Sequence, residues 1–266
     1  LYDLTTLQRE ANRIYGMTAK QTLDTAQSLY EKKLITYPRT DSQYLTEDME
    51  QTARNVVRQI YEKYQLTGPF DQPEQPDVKK VMNNSKVTDH HAIIPTMELA
   101  SCHLGELKSW EEKILFLIAV HTVMAMSKDH IYQETEIEVE CQGEIFKAKG
   151  KTVLQDGWKL FENCFKNKDR MAIVDPDQEM KERMPKVTQG QTFYAVAAEK
   201  TEHFTSPPKP YSEDTLLAAM ETAGNKEFDE DTEKKGLGTP ATRAGIIEKL
   251  IYSQYATRKG KQILPT

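Results

Sequence analysis

The stretch Ile35-Thr36-Tyr37-Pro38-Arg39-Thr40-Asp41-Ser42 gathers a phenol, a guanidinium and a carboxylate around one proline. Proline disfavours the helical region for the residue before it, which pushes Tyr37 toward an extended conformation. In an extended run, side chains two apart point the same way. Tyr37 and Arg39 are therefore expected to share a face, ~7 Å apart along the chain. A tyrosine hydroxyl can act as a covalent nucleophile, and a planar guanidinium is well suited to grip phosphate. Together they fit attack on a phosphodiester. On spacing alone the competing reading is a turn with the ring packed on a neighbour.

The elements that must hold these residues are mostly helical at first. Thr5 with Gln8, and Thr18 with Gln21, each have capping-box spacing, and Gly16 separates the two helices they would start. The second helix carries Ala19, Leu23, Ala26 and Tyr30 on one stripe and delivers the chain to Tyr37. A third runs from about Thr46 to Tyr64, with Arg54 and Arg58 off its apolar face as candidate phosphate contacts. Residues 67–88 are expected to form a loop with one short strand near Lys79–Met82. A long helix begins at Ser109, capped with Glu112, and His121 interrupts its apolar run.

From His130 the period changes to two. Glu134–Cys141 alternates, Gln142-Gly143 makes a turn, and Glu144–Gly150 returns. Gln191–Ala198 is expected to be a further strand of the same antiparallel sheet. Ser212 caps a helix with Leu216, Leu217 and Met220 on its buried side. Asn225–Lys235 is an acidic loop, and Gly236–Pro240 leads into a last helix over about Ala241–Tyr252. The fold class is therefore multi-domain α+β, with helical lobes of helix-turn-helix type flanking an antiparallel β domain. Three segments are expected: a helical lobe over 1–128 carrying Tyr37, a β-rich segment over 129–199, and a helical segment over 200–266.

Composition narrows the class. The chain has 266 residues, 38% hydrophobic and 29% charged, with formal net charge −6. Residues 1–66 hold nine Lys/Arg and nine Asp/Glu, and residues 200–266 hold ten of each. The acidic excess lies in 67–199, with sixteen Lys/Arg against twenty-two Asp/Glu. A local basic face, not a basic total, is what nucleic acid requires, so the balance permits DNA as a partner. Cys102, Cys141 and Cys164 are far apart and form no CxxC pair, so no zinc site is expected. Sparse cysteines fit a reducing cytoplasm. No apolar run is long enough for a membrane span, and no signal peptide opens the chain. The first residue is Leu1, not Met, which suggests a piece of a longer protein.

Three blocks in order resemble type IA DNA topoisomerases, particularly the topoisomerase III branch. They are Ile35–Ser42; Asp89-His90-His91-Ala92-Ile93-Ile94-Pro95-Thr96; and Pro207–Glu213 followed by Gly236-Leu237-Gly238-Thr239-Pro240-Ala241-Thr242-Arg243-Ala244. The resemblance runs from about Leu7 to Leu250, and it implies that 129–199 is a hinge or arch and that 200–266 is a DNA-binding segment. It implies an enzyme that cuts one DNA strand through a 5′-phosphotyrosine, passes a strand and reseals, without ATP. Tyr37 matches the family nucleophile, Arg39 the arginine that steadies the scissile phosphate, and His90 a histidine close to the active site. Free tyrosine ionises near pH ~10, and a nearby cation favours its phenolate. His91 is a weaker candidate, and Asp41 could orient Arg39 or cap the next turn. Thr40, Ser42, Thr242 and Arg243 are the expected DNA contacts. A position that is often arginine in the bacterial topoisomerase I branch is Thr239 here.

The resemblance also implies Mg²⁺ for the full-length enzyme, held by carboxylates of an N-terminal toprim domain that this chain does not match. No metal site is expected here, Asp229-Glu230-Asp231 included. Single-stranded DNA is the implied partner, and a bacterial, nucleoid-associated place in the cytoplasm the implied location. The sheet is expected to keep an open edge or to pair with another copy, because the family's completing strands precede residue 1. The non-catalytic alternative is a fragment that binds single-stranded DNA. A tyrosine recombinase or type IB enzyme is disfavoured, because there the tyrosine comes late in the chain and here Tyr37 precedes His90.

Overall fold

A computed structural model describes residues 1–66, 76–161, 185–194, 196–224 and 236–266. Cys164 and the Asn225–Lys235 loop, with its Asp229-Glu230-Asp231 cluster, lie outside the described residues. The chain forms two units, one of Leu1–Lys128 with Pro210–Thr266 and one of Asp129–Lys209. Residues 210–266 fall in the same unit as residues 1–128.

The first unit opens with α1 (Leu4–Tyr15) and α2 (Ala19–Glu31). The start of α1 differs from expectation. Its N-cap is Asp3, whose carboxylate accepts from Thr6 N at 2.7 Å, and not Thr5. Thr5 lies inside the first turn and is buried. Two cap-type residues two apart compete for one role, and the carboxylate, which also suits the positive end of the helix dipole, takes it. Gly16 ends α1 at φ 70°, a left-handed conformation that glycine adopts without a Cβ penalty. The Thr18–Gln21 capping box that starts α2 forms as expected.

Helix α3 (Glu50–Tyr64) follows a 3-10 turn over Glu47–Met49 and buries Ala53, Val56, Val57, Ile60 and Tyr61. The short strand expected near Lys79–Met82 is instead a 3-10 turn over Val78–Val81, with a single bridge from Met82 to Leu45. Helix α4 (Ser109–Ala125) is capped from Lys108, whose N–H donates to Glu111 Oε2 at 2.9 Å, so Glu111 and not Glu112 closes its first turn. Burial pushes the His121 pKa in α4 down to about 3, which keeps the ring neutral. That ring meets Tyr2 edge-on at 4.0 Å.

Helices α5 (Glu213–Thr222) and α6 (Pro240–Tyr252) pack back on the start of the chain. Leu217, Met220, Ala244 and Ile247 share a buried cluster with Ala19 of α2. The buried Glu213 accepts from Ala19 N at 2.5 Å and from Arg258 Nε at 2.8 Å, and Arg9 pairs with Asp214 at 2.8 Å. Gly236 sits where a Cβ would come within 2.4 Å of the carbonyl oxygens of Met220 and Glu221, so any side chain there would push the chain off the end of α5. A hairpin of β3 (Ala256–Lys259) and β4 (Gln262–Pro265), not foreseen from the sequence, ends the chain.

The second unit holds β1 (Ile131–Cys141) and β2 (Glu144–Gln155), an antiparallel pair that matches expectation at the turn and is longer than expected at its open end. Gln142 and Gly143 both take positive φ, as a two-residue hairpin turn demands. Glu134, Glu136 and Glu138 stand opposite Lys151, Lys149 and Lys147 and ion-pair with them. The alternate face carries Thr135, Ile137 and Val139. The expected third strand over Gln191–Ala198 does not form: its described residues pair with no strand, and the described sheet is two-stranded. Phe193, Tyr194 and Val196 are exposed, so they lack the cross-strand neighbours that stabilise a strand.

Candidate active site

The first two sequence blocks are stitched together by hydrogen bonds. Thr36 N donates to Ile94 O at 2.9 Å, and Thr96 N donates to Leu34 O at 3.0 Å. The Thr36 hydroxyl donates to Ala92 O at 3.0 Å and accepts from Ile94 N at 3.0 Å. Further on, Ala92 N donates to Tyr44 O at 2.9 Å and Ile93 N to Tyr2 O at 2.8 Å. Residues 34–44 and 89–96 are thus one site, though far apart in sequence. Thr36→Val removes both hydroxyl bonds and leaves Ile94 N without its acceptor, while Ala92 O keeps His91 Nδ1 at 2.9 Å, so it is expected to cost about 1 kcal/mol in a denaturant titration.

This lacing sets Tyr37 beside His90, with ring centroids 4.3 Å apart and planes at 44°. Tyr30 also meets Tyr37 edge-on, centroids 5.4 Å apart and planes at 78°. Tyr37 is half-buried, and its hydroxyl has no hydrogen-bond partner among the described residues. Tyr30 was expected on the buried stripe of α2. It is 40% exposed instead, and Leu29 takes the buried place. The expected extended run through Tyr37 is also corrected: the chain bends at Pro38 and Arg39. Pro38 is buried and Arg39 is exposed.

Arg39 differs from most arginines of the chain. Among the described residues, Arg9, Arg13, Arg54, Arg243 and Arg258 have carboxylate partners, whereas Arg39 and Arg58 have none. Asp41 is exposed and makes no ion pair with Arg39. Arg54 is held by Glu50 at 2.7 Å and by Pro76 O at 3.2 Å. A guanidinium without a carboxylate keeps its donors for an anion from solution.

The hydroxyls after Arg39 are engaged within the chain. Thr40 is buried, and its hydroxyl donates to His90 O at 2.9 Å, while its carbonyl accepts from Leu4 N at 3.0 Å. Ser42 is buried, with its hydroxyl on Lys86 O at 2.8 Å. His90 is exposed, and His91 Nδ1 lies 2.9 Å from Ala92 O. In the third block the exposed Thr242 hydroxyl accepts from Thr239 N at 2.8 Å, which caps α6. Arg243 is buried, with Nη1 on the Thr5 hydroxyl at 2.9 Å and Nε on Leu237 O at 3.2 Å. Arg243 and Thr5 thus tie α6 to α1.

A buried acid fixes the helix end that precedes the site. Glu111 accepts from Lys32 Nζ at 2.6 Å, Ser28 Oγ at 2.7 Å and Lys108 N. Burial opposes its ionisation, but these donors outweigh burial and hold the pKa down to about 2. An unfolded glutamate titrates near 4.5, so this stabilisation is complete above pH 4.5 and is lost as pH falls toward 2. Glu111→Gln is expected to lower stability by about 2 kcal/mol at pH 7, with the open side of Lys32 moderating the loss. It is also expected to flatten the acid limb of stability between pH 4.5 and 2, measured by urea midpoints across that range.

The sequence and the fold match known proteins. The family described as DNA topoisomerase matches residues 1–266, and the chain belongs to it. Within that family it is of type IA and similar to topoisomerase III. DNA topoisomerase 3 of Bacillus licheniformis is 39% identical over 284 residues, which covers 100% of this chain and 37% of that protein. DNA topoisomerase 3 of Bacillus subtilis is 38% identical over 278 residues, with the same coverage. The chain spans about 37% of the length of these relatives. Full-length topoisomerase I from Thermotoga maritima shares the fold, with a TM-score of 0.63 at 23% identity over 100% of this chain and 40% of that one. The α+β class is that of type IA enzymes. No helix of the described residues is long and apolar enough to cross a membrane.

Proposed function

We propose that this chain carries the nucleophile-bearing region of a type IA DNA topoisomerase, and that Tyr37 attacks a phosphodiester of single-stranded DNA. The supporting observation is a half-buried phenol, in contact with two rings and two residues from an exposed guanidinium, with no hydrogen-bond partner for the hydroxyl and no carboxylate for the guanidinium among the described residues. In this reading Tyr37 Oη bonds to phosphorus and the bond from phosphorus to the 3′ oxygen breaks. The phenol proton is lost to solvent, the freed 3′ oxygen takes up a proton, and a 5′-phosphotyrosine remains. The new ester conserves the energy of the broken one, so the reverse attack reseals the strand without ATP. Arg39 binds the phosphate and stabilises the charge that grows on its oxygens. His90 contacts the phosphate or the departing hydroxyl from beside the ring.

Among the assigned DNA contacts, the exposed Thr242 is the one placed to meet the strand from solution. Thr40, Ser42 and Arg243 act by holding the surface that the strand lies on. The whole protein relaxes or unlinks DNA by passing a strand through the break, in a bacterial cytoplasm at the nucleoid. Mg²⁺ belongs to this family's chemistry. The described residues hold no group of three or more His, Cys, Asp or Glu side chains that could ligate it, so no step here runs through the ion.

The direct test traps the adduct. The full-length protein is incubated with a single-stranded oligonucleotide and Mg²⁺, quenched with denaturant, digested and mapped. The expected product is the peptide containing Tyr37 carrying a 5′-phosphoryl nucleotide. A 3′-phosphoryl linkage, or an adduct on another residue, overturns the reading.

A further inference from the structure

We propose that Tyr30 is a positioning residue that aims the Tyr37 ring, acting from a helix end fixed by Glu111. The inference rests on Tyr37 being the nucleophile. In-line attack needs the phenol oxygen aligned with the bond that breaks, and a small misplacement costs rate. Nothing among the described residues holds the Tyr37 hydroxyl, so its ring contacts set that alignment. Those contacts are with Tyr30 and His90.

The two contacts differ in what stands behind them. His90 is exposed and lies in an irregular segment. Tyr30 belongs to the last turn of α2, and the residues two before and two after it are both bonded to Glu111: Ser28 at 2.7 Å and Lys32 at 2.6 Å. Turning that helix end would strip a buried carboxylate of its donors. The reversal after α2 is fixed too. Lys33 N donates to Tyr30 O at 2.8 Å, Leu34 N donates to Leu29 O at 2.9 Å, and Lys33 takes φ 61°. This turn sends the chain back so that Tyr37 meets Tyr30.

Core packing does not account for Tyr30. The ring is 40% exposed, and its hydroxyl has no hydrogen-bond partner among the described residues. Among the described residues its one aromatic contact is the edge-on contact with Tyr37. An aromatic pair at this separation and angle lies in the favourable edge-to-face range.

Tyr30→Ala, Tyr30→Phe and Tyr37→Phe in the full-length protein separate the possibilities. The rate of covalent adduct formation is measured in a single turnover at saturating oligonucleotide. DNA affinity without cleavage and thermal stability are measured alongside. Tyr30→Ala is expected to slow adduct formation about 3- to 10-fold, with affinity and melting temperature unchanged, and Tyr30→Phe to restore the rate. An unchanged Tyr30→Ala rate overturns the proposal. So does a slowing matched by lost affinity or lost stability, or a Tyr30→Phe variant as slow as Tyr30→Ala. If Tyr37→Phe still forms adducts, the nucleophile assignment itself falls. If Tyr37→Phe forms none while Tyr30→Ala is normal, only the positioning inference falls.

Discussion

Full-length protein carrying Tyr37→Phe is expected to lose covalent adduct formation and DNA relaxation by at least about 10⁴-fold, the scale set by removal of a nucleophile. The substitution is selective because of how the ring is held. Phenylalanine keeps the contacts with Tyr30 and His90. The lost hydroxyl had no partner among the described residues, so no donor or acceptor is orphaned. Melting temperature and affinity for single-stranded DNA should therefore stay near wild type. Relaxation assays, adduct trapping and a thermal melt on one preparation decide the matter. Undiminished adducts would remove Tyr37 from the chemistry. Loss of activity together with loss of folding would make the tyrosine a packing residue.

Arg39→Ala is the second large effect. It is expected to reduce the adduct-forming rate about 10²- to 10³-fold, the range for removal of one donor aimed at developing charge. Stability should change by less than about 0.5 kcal/mol, because the side chain is exposed and has no carboxylate partner among the described residues. Arg39→Lys should recover part of the rate: the charge returns, but the fork that binds two phosphate oxygens does not. Weakened affinity with normal single-turnover cleavage would recast Arg39 as a general DNA contact. An Arg39→Lys variant equal to wild type would show that a point charge suffices.

Much of the fold was legible in the sequence, and the misses have physical causes. Helix periodicity and the Thr18–Gln21 box placed α2. Strict alternation with Gln142-Gly143 placed the β1–β2 hairpin. Asp3 displaced Thr5 as the cap of α1 because local spacing does not rank competing caps. Gln191–Ala198 has strand composition, but strand propensity is realised only against a partner strand, which no pattern within the segment can supply. Tyr30 looked like a core residue because its stripe position fits one. Its actual neighbour, Tyr37, arrives through a chain reversal at Lys33 that helical periodicity does not register.

The site was legible to a different depth. Tyr37, Arg39 and His90 were named from their blocks, and the structure brings Tyr37 and His90 into contact. The parts played by Thr40, Ser42 and Arg243 within the chain could not be read beforehand. A hydroxyl or guanidinium in a motif block has the same sequence signature whether it faces solvent or a buried carbonyl. Glu111 was missed altogether, since one acid in a helix's first turn is indistinguishable from an ordinary dipole-compensating charge until its donors are seen.

The closure of α5 and α6 on the first two helices has a consequence for biosynthesis. Arg9 waits for Asp214, 205 residues downstream, and Ala19 for Glu213, 194 downstream. At a translation speed of ~5–20 residues per second, each partner emerges about 10 to 40 s after the residue it pairs with. Throughout that interval the Ala19 face of α2 has no covering layer, so nascent chains stalled before residue 210 should be cut by protease within α1 and α2, where the released protein resists.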